Sequence, residues 1–389
     1  MIQSSLTQQA QELSPWLVSV RRELHMHPEL GGQEQKTQAF VLKTLQEIGI
    51  ETLTYPGQYA VVGLIRGSFP GKTIAIRADM DALPIQEENK CDFISQTPGV
   101  MHACGHDAHM AIVLGAARLL SERRDKLHGN VKLFFEPAEE TVGGAREMVA
   151  TGCMENPHVD AVLGLHMLPD QKAGVVYTKP GCVSGASDDI NITVHGKSCH
   201  GAYPERGTDA LLIASQIVVA LQTLVSRNVS PLDSAVVSLC KIQGGSARNI
   251  ICNQVEIEGT LRTLLPEVQE SCKRRIVEVA QSLAEGLGGS ADVTLRDSYG
   301  AVYNNEALYE RFAAVAKDII GEEQMVLRPA PSLGVESFGF FVKHAPGMYY
   351  DLGCGIGTPL HTSTFTVDEA CLPVGVALQT AMALDYLKG

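Results

Sequence analysis

The chain has 389 residues, 45% of them hydrophobic and 19% charged, which suits two domains with ample core material and excludes disorder as the main state. Acidic residues outnumber basic ones 44 to 31, a net charge of −13, and aromatics make up 5%. That balance argues against a nucleic-acid or anionic-membrane surface, which needs a basic face or stacking rings. The ten cysteines are scattered and no pair is spaced CxxC, so reduced thiols in a cytoplasmic protein are expected rather than a disulfide frame. The first 27 residues lack an apolar leader core, and no run of about 18 apolar residues predicts a spanning helix.

In chain order, the pattern predicts helices over 6–24 and 34–48, then β-rich runs over 60–65 and 73–77. A helix over 108–123, a buried strand over 131–135 stopped by Pro137, a short helix over 145–150 and a strand over 159–165 follow. This alternation predicts an α/β mixed sheet with helices on both faces. The rhythm changes near Ser187. A strand over 189–195, a helix over 207–227, strands over 235–242 and 255–262, a helix over 266–287 and a strand over 291–296 make a β-α-β-β-α-β order. We therefore expect a discontinuous catalytic domain (1–186 and 299–389) carrying an inserted ferredoxin-like α+β lid and dimerisation domain (187–298), with hinges near Ser184 and Ser298. A helix over 306–320, a strand over 348–352 and a helix over 371–387 resume the first style.

Chemistry concentrates in a few places. His102, Cys104, His106 and His109 fall within eight residues just before a helix, and a thiolate and an imidazole two apart can converge on one ion. The plainer reading is a hydrogen-bonding histidine loop. Glu139 and Glu140 follow the strand stopped by Pro137; adjacent carboxylates diverge, so one can ligate while the other faces water, although two solvated surface acids look the same in sequence. His166 and His361 each fall at a strand exit, where open α/β sheets gather their ligands, yet a lone histidine is more often a structural hydrogen-bonder. Four separate loops thus offer Cys, His, Glu, His and His, with one Glu to spare; five ligands exceed the three of one catalytic zinc and suit two divalent ions, Zn, Mn, Co or Ni.

The runs 77–84 (RADMDALP), 102–109 (HACGHDAH), 137–140 (PAEE) and 143–145 (GGA) together resemble the aminoacylase and carboxypeptidase-type metallopeptidase family, in its branch of amidohydrolases for N-acyl amino acids, hippurate and auxin conjugates. The resemblance covers essentially the whole chain. It implies Cys104, His106, Glu140, His166 and His361 as metal ligands, Glu139 as general base and Asp81 as the acid that orients a ligand. It implies that His200, in the run 196–204, polarises the substrate carbonyl in a partner subunit's site, and that Asn249 and Arg262 are lid residues near the substrate; a surface histidine is the bland alternative for His200. Two departures stand out: Ser337 lies between Glu336 and Phe338 where the family often has Asp, and Glu205 follows Pro204 where it often has His.

The expected activity is hydrolysis of an N-acyl amino acid, a small-molecule substrate, to the free amino acid and a carboxylic acid. Two metals would activate water, Glu139 would act as base, and the enzyme would be a homodimer or higher homo-oligomer with no nucleic-acid or membrane partner. A peptidase for small dipeptides, a thiol hydrolase using Cys104 and a non-catalytic metal-binding protein are the alternatives. No GxSxG elbow supports a serine hydrolase.

Overall fold

A computed structural model describes residues 2–388. The chain forms two compact units, one of residues 1–183, 303–330 and 337–389, the other of 184–302 and 331–336. The short return of 331–336 to the second unit is not suggested by the sequence pattern.

The first unit is built on a ten-stranded mixed sheet. At its centre, strands His128–Glu136, Phe69–Asp79, Ala161–Leu168 and Gly347–Gly353 run parallel, and Val61–Arg66 pairs antiparallel with the first of them. Apart from the exposed start of Phe69–Asp79, their side chains are buried almost throughout, as parallel strands covered on both faces require. Helices His106–Ser121 and Cys371–Tyr386 are buried on nearly every side, sunk in the core. They approach closely where a Cβ on Gly115 would lie 2.6 Å from Val376 and one on Gly375 would lie 2.6 Å from Ile112. The expected first helix is two, Ile2–Glu12 and Ser14–Met26, because Pro15 sits in the first turn of the second and cannot continue the first. The strand Glu51–Thr54 escapes the sequence pattern because it is short and largely exposed.

The second unit is a four-stranded antiparallel sheet, in the order Ser290–Tyr299, Ala186–His195, Gln254–Thr263, Ala235–Gly244. Helices Ala210–Thr223 and Pro266–Gly286 cover one face, and Ile190, Ile192, Ile213, Ile217, Leu221, Ile257 and Ile276 form its separate core. Chain order against sheet order is that of a split β-α-β. Residues Ala210–Asn228 form a helix long and apolar enough by composition alone to cross a membrane, although Ser, Gln, Thr and Arg interrupt its apolar run. Its inner face, Ile213, Ile217, Leu221 and Leu224, belongs to this core, the position of a packed helix in a globular domain.

Candidate metal centre

The centre lies at the carboxyl ends of the parallel strands, where the edges of an open α/β sheet leave room for a ligand. Strand His128–Glu136 stops at Pro137, and the chain turns through Ala138 at φ 56°, a left-handed conformation unusual for alanine. Two buried acids hold this turn: Glu34 Oε1 accepts from Ala138 N at 2.7 Å, and Asp81 Oδ2 accepts from Glu140 N at 3.0 Å. Gly105 has φ 89°, and a Cβ there would lie 2.8 Å from Met167, so only glycine lets Cys104 and His106 turn to the same point. His106 opens the helix rather than preceding it, and His166 lies inside strand Ala161–Leu168 rather than after it.

The structure brings Cys104, His106, Glu140, His166 and His361 together. Cys104 Sγ lies 3.3 Å from Nε2 of both His166 and His361, and Glu140 Oε1 lies 3.1 Å from His361 Nε2 and 3.9 Å from His106 Nε2. Donor atoms of Cys104, His106 and His166 cluster within 4.8 Å of one another; so do those of Cys104, Glu140 and His361, and those of His106, Glu139 and Glu140. Cys104 thus belongs to two triads. The rings are aimed by their other nitrogens. His106 Nδ1 donates to the Asp81 carbonyl and His166 Nδ1 to the Met167 carbonyl, each at 2.8 Å, which in the neutral rings leaves each Nε2 lone pair facing the cluster. His361 is held at φ 61° while its N–H donates to the Ala103 carbonyl at 2.8 Å. A left-handed histidine at the mouth of a ligand cluster fits strain retained for function.

The electrostatics are those of a pocket short of positive charge. Burial resists a charge on His106, but Asp79 and Asp81 outweigh it and push its pKa well up. Burial would raise Glu140, yet the imidazoles of His361 and His106 bring it down to about 2. Burial holds the Cys104 thiol well above its ordinary value, with Glu140 adding to the effect. Among the described residues, His106 Nε2 and Glu140 Oε1 are buried without a well-aligned hydrogen bond. An unpaired buried polar atom costs about 1–3 kcal/mol. A cation amid these nitrogen, sulfur and oxygen donors would satisfy both, so the residues fit a metal site.

Other candidates go elsewhere. His109 Nδ1 donates to Asp79 Oδ1 at 2.6 Å and its Nε2 accepts from Met167 N at 2.9 Å, so both nitrogens are committed to structure. His102 is buried and burial pushes its pKa down to about 3, so it is a neutral core histidine. Glu139 is buried beside the cluster, Oε1 accepting from Ser337 N at 3.0 Å. Asp81 touches both His106 and Glu140. His200, Asn249 and Arg262 belong to the second unit. His200 is exposed, with Nδ1 accepting from Ala202 N at 3.0 Å; Gly201 N donates to the Asn249 carbonyl at 2.8 Å; Arg262 lies on strand Gln254–Thr263. Glu34 went unnoticed in the sequence, where nothing separates it from the other polar residues of 29–38.

Residues 75–385 match the family model described as Peptidase family M20/M25/M40. The chain is 39% identical to an N-acetyl-L-cysteine deacetylase of Bacillus subtilis, over 92% of this chain and 85% of that protein. It is 37% identical to an IAA-amino acid hydrolase of Arabidopsis thaliana, over 97% and 86%. A Bacillus subtilis protein described as a dinuclear metal binding peptidase from the M20 family superposes with a TM-score of 0.85 at 33% identity, covering 97% of this chain and 99% of that one. With such matches along nearly its full length, around a clustered donor set, this chain belongs to Peptidase family M20/M25/M40 and is a hydrolase that acts on amide bonds.

Proposed function

We propose that this protein hydrolyses the amide bond of N-acyl amino acids to a free amino acid and a carboxylic acid, with two divalent cations, Zn, Mn, Co or Ni, held by Cys104, His106, Glu140, His166 and His361. The observation that carries this reading is the clustering of those five donors in overlapping triads, with a sixth side chain, Glu139, beside them. When bound, such ions polarise a carbonyl and lower the pKa of water. Cys104, His106 and Glu140 each belong to two of these donor triads, which would let one ligand set serve two neighbouring ions.

The remaining steps fall to the protein's own groups. Glu139 takes the proton of the attacking water on a carboxylate oxygen and hands it to the leaving nitrogen, while the Ser337 N–H keeps its other oxygen in place. His200, reaching in from a partner subunit, polarises the acyl oxygen. Its Nδ1 accepts from Ala202 N, so the neutral ring carries its proton on Nε2 as a donor. Asn249 and Arg262 are assigned to substrate binding.

We read the working form as a cytoplasmic homodimer joined through the second unit. Strand Ala235–Gly244 lies at the edge of its sheet, and Leu211, Leu212 and Val219 expose an apolar face on the neighbouring helix. All ten cysteines are free, in keeping with a reducing compartment.

A hydrolysis panel tests the activity: acetyl, benzoyl and indole-acetyl amino acids with small dipeptides, on chelated and metal-restored protein. Amide cleavage lost on chelation and restored by Zn, Mn, Co or Ni is the expected result. Turnover that survives chelation refutes the metal assignment, and dipeptides cleaved in preference to every acyl amino acid overturn the substrate assignment.

A further inference from the structure

Glu139 is oriented by a contact from far along the chain, the peptide N–H of Ser337 at 3.0 Å. The Ser337 side chain is itself fully buried and gripped on both sides. Its Oγ accepts from Arg77 Nη2 at 2.9 Å and donates to Glu136 Oε1 at 2.5 Å. Arg77 and Glu136 are anchored in turn. Arg77 Nε donates to Glu136 Oε2 at 2.7 Å and Nη1 to Asp79 Oδ2 at 2.8 Å, while Glu136 Oε1 also accepts from Ala145 N at 2.7 Å. Arg77 and Asp79 lie on strand Phe69–Asp79 and Glu136 on its parallel neighbour, where Asp79 pairs with Glu136 in register. None of these four side chains is exposed.

We propose that Ser337 is a positioning residue for Glu139: its hydroxyl, locked between Arg77 and Glu136, transmits the rigidity of two central strands to the N–H that holds the base. The inference rests on Glu139 being that base. The planar guanidinium fork fixes the direction of each of its bonds, so the hydroxyl has one place to sit. Only a group that donates and accepts at once fills that place. A hydroxyl donates to Glu136 and accepts from Arg77, whereas a carboxylate accepts only. An aspartate here would set a third acid against one guanidinium and bring carboxylate oxygens together where Ser337 Oγ and Glu136 Oε1 lie 2.5 Å apart. The Arg77, Glu136 and Ser337 trio is thus a matched set, and in this chain it sets how accurately the base is aimed.

The test compares wild type with Ser337→Ala, Ser337→Thr, Glu139→Gln and the Glu139→Gln/Ser337→Ala double variant, all full length, on the substrate turned over best in the acyl amino acid panel. Metal content is measured on each. A misplacement of about 1 Å can cost about 100-fold, so Ser337→Ala is expected to lower kcat about 10- to 100-fold. KM should stay within about threefold and metal content at the wild-type level, because the contact aims the base and binds nothing. Ser337→Thr, which keeps the hydroxyl, should recover most of the loss. In the Glu139→Gln background Ser337→Ala should cost nothing more, since no base is left to aim. With Glu139→Gln strongly impaired, a wild-type kcat for Ser337→Ala, or a full independent loss in the double variant, overturns the positioning role alone. Near-normal turnover by Glu139→Gln overturns the base assignment and the inference together. Should Ser337→Ala not fold, Ser337→Cys takes its place in the cycle with the same expectations.

Discussion

The loop carrying Cys104 and His106 is tied to the N-terminal helix Ser14–Met26 by a buried ionic cluster, which makes Asp107→Asn an informative perturbation. Asp107 Oδ2 accepts from Arg21 Nε and lies beside His25 Nδ1, both at 2.8 Å, and none of the three residues is more than 2% exposed. Burial would raise the Asp107 pKa, but Arg21 and His25 overcome it and hold the carboxyl well below its ordinary value. A depressed acid stabilises the fold above its unfolded value of 3.8 and loses that contribution as pH falls, so at pH 7 the contribution is complete. Removing one member of a buried pair costs about 3–5 kcal/mol. Arg21 keeps Glu369 at 3.3 Å and His25 keeps Glu87 at 3.1 Å, and asparagine retains one acceptor oxygen, so about 3 kcal/mol is expected. The single tryptophan, Trp16, sits on the same helix with the Arg118 guanidinium 5.3 Å from its ring, so its fluorescence reports unfolding of this unit. In urea and chelator at pH 7, with a slope of about 3 kcal/mol/M, the midpoint should fall by about 1 M. A fall below about 0.3 M at unchanged slope would refute the reasoning that this cluster anchors the ligand loop.

Three further outcomes are expected. Burial raises the Glu34 carboxyl from 4.5 to about 7, so the stability it contributes is complete below 4.5 and is lost as pH rises through 7, up to about 3 kcal/mol. Glu34→Gln keeps an acceptor for Ala138 N and should be more stable than wild type at pH 8 but not at pH 4; urea midpoints at the two pH values decide it. His361→Gly relieves the left-handed strain, about 1 kcal/mol, and should be at least as stable as His361→Ala without metal while both bind less metal by elemental analysis; full metal content in either removes His361 from the ligand set. Val219→Glu places a charge on the exposed apolar helix face and should convert a dimer to monomer in light scattering with unchanged circular dichroism; a dimer that persists excludes that face as the interface.

Much of the architecture was legible because it depends on patterns that neighbouring residues carry. The helix over 306–320 matches Glu306–Ile320 to the residue, and the β-α-β-β-α-β order of the second unit follows from periodicity and turn residues. The donor types were legible for a similar reason: Cys104, His106 and Glu140 sit in short runs whose composition is itself unusual. His109, equal to His106 on the page, was not separable from it, because its commitment to Asp79 and Met167 N depends on strands 30 and 58 residues away. The same holds for Glu34 under Ala138 and Ser337 behind Glu139, contacts spanning 104 and 198 residues. Sequence alone thus determined most of the longer elements and offered the donor side chains, since propensity and periodicity are local, while short exposed pieces such as Glu51–Thr54 escaped it. The tertiary structure decided which imidazole nitrogen faces the cluster, which acids hold the turn and what aims Glu139, because those depend on hydrogen-bond partners that only folding brings within 3 Å.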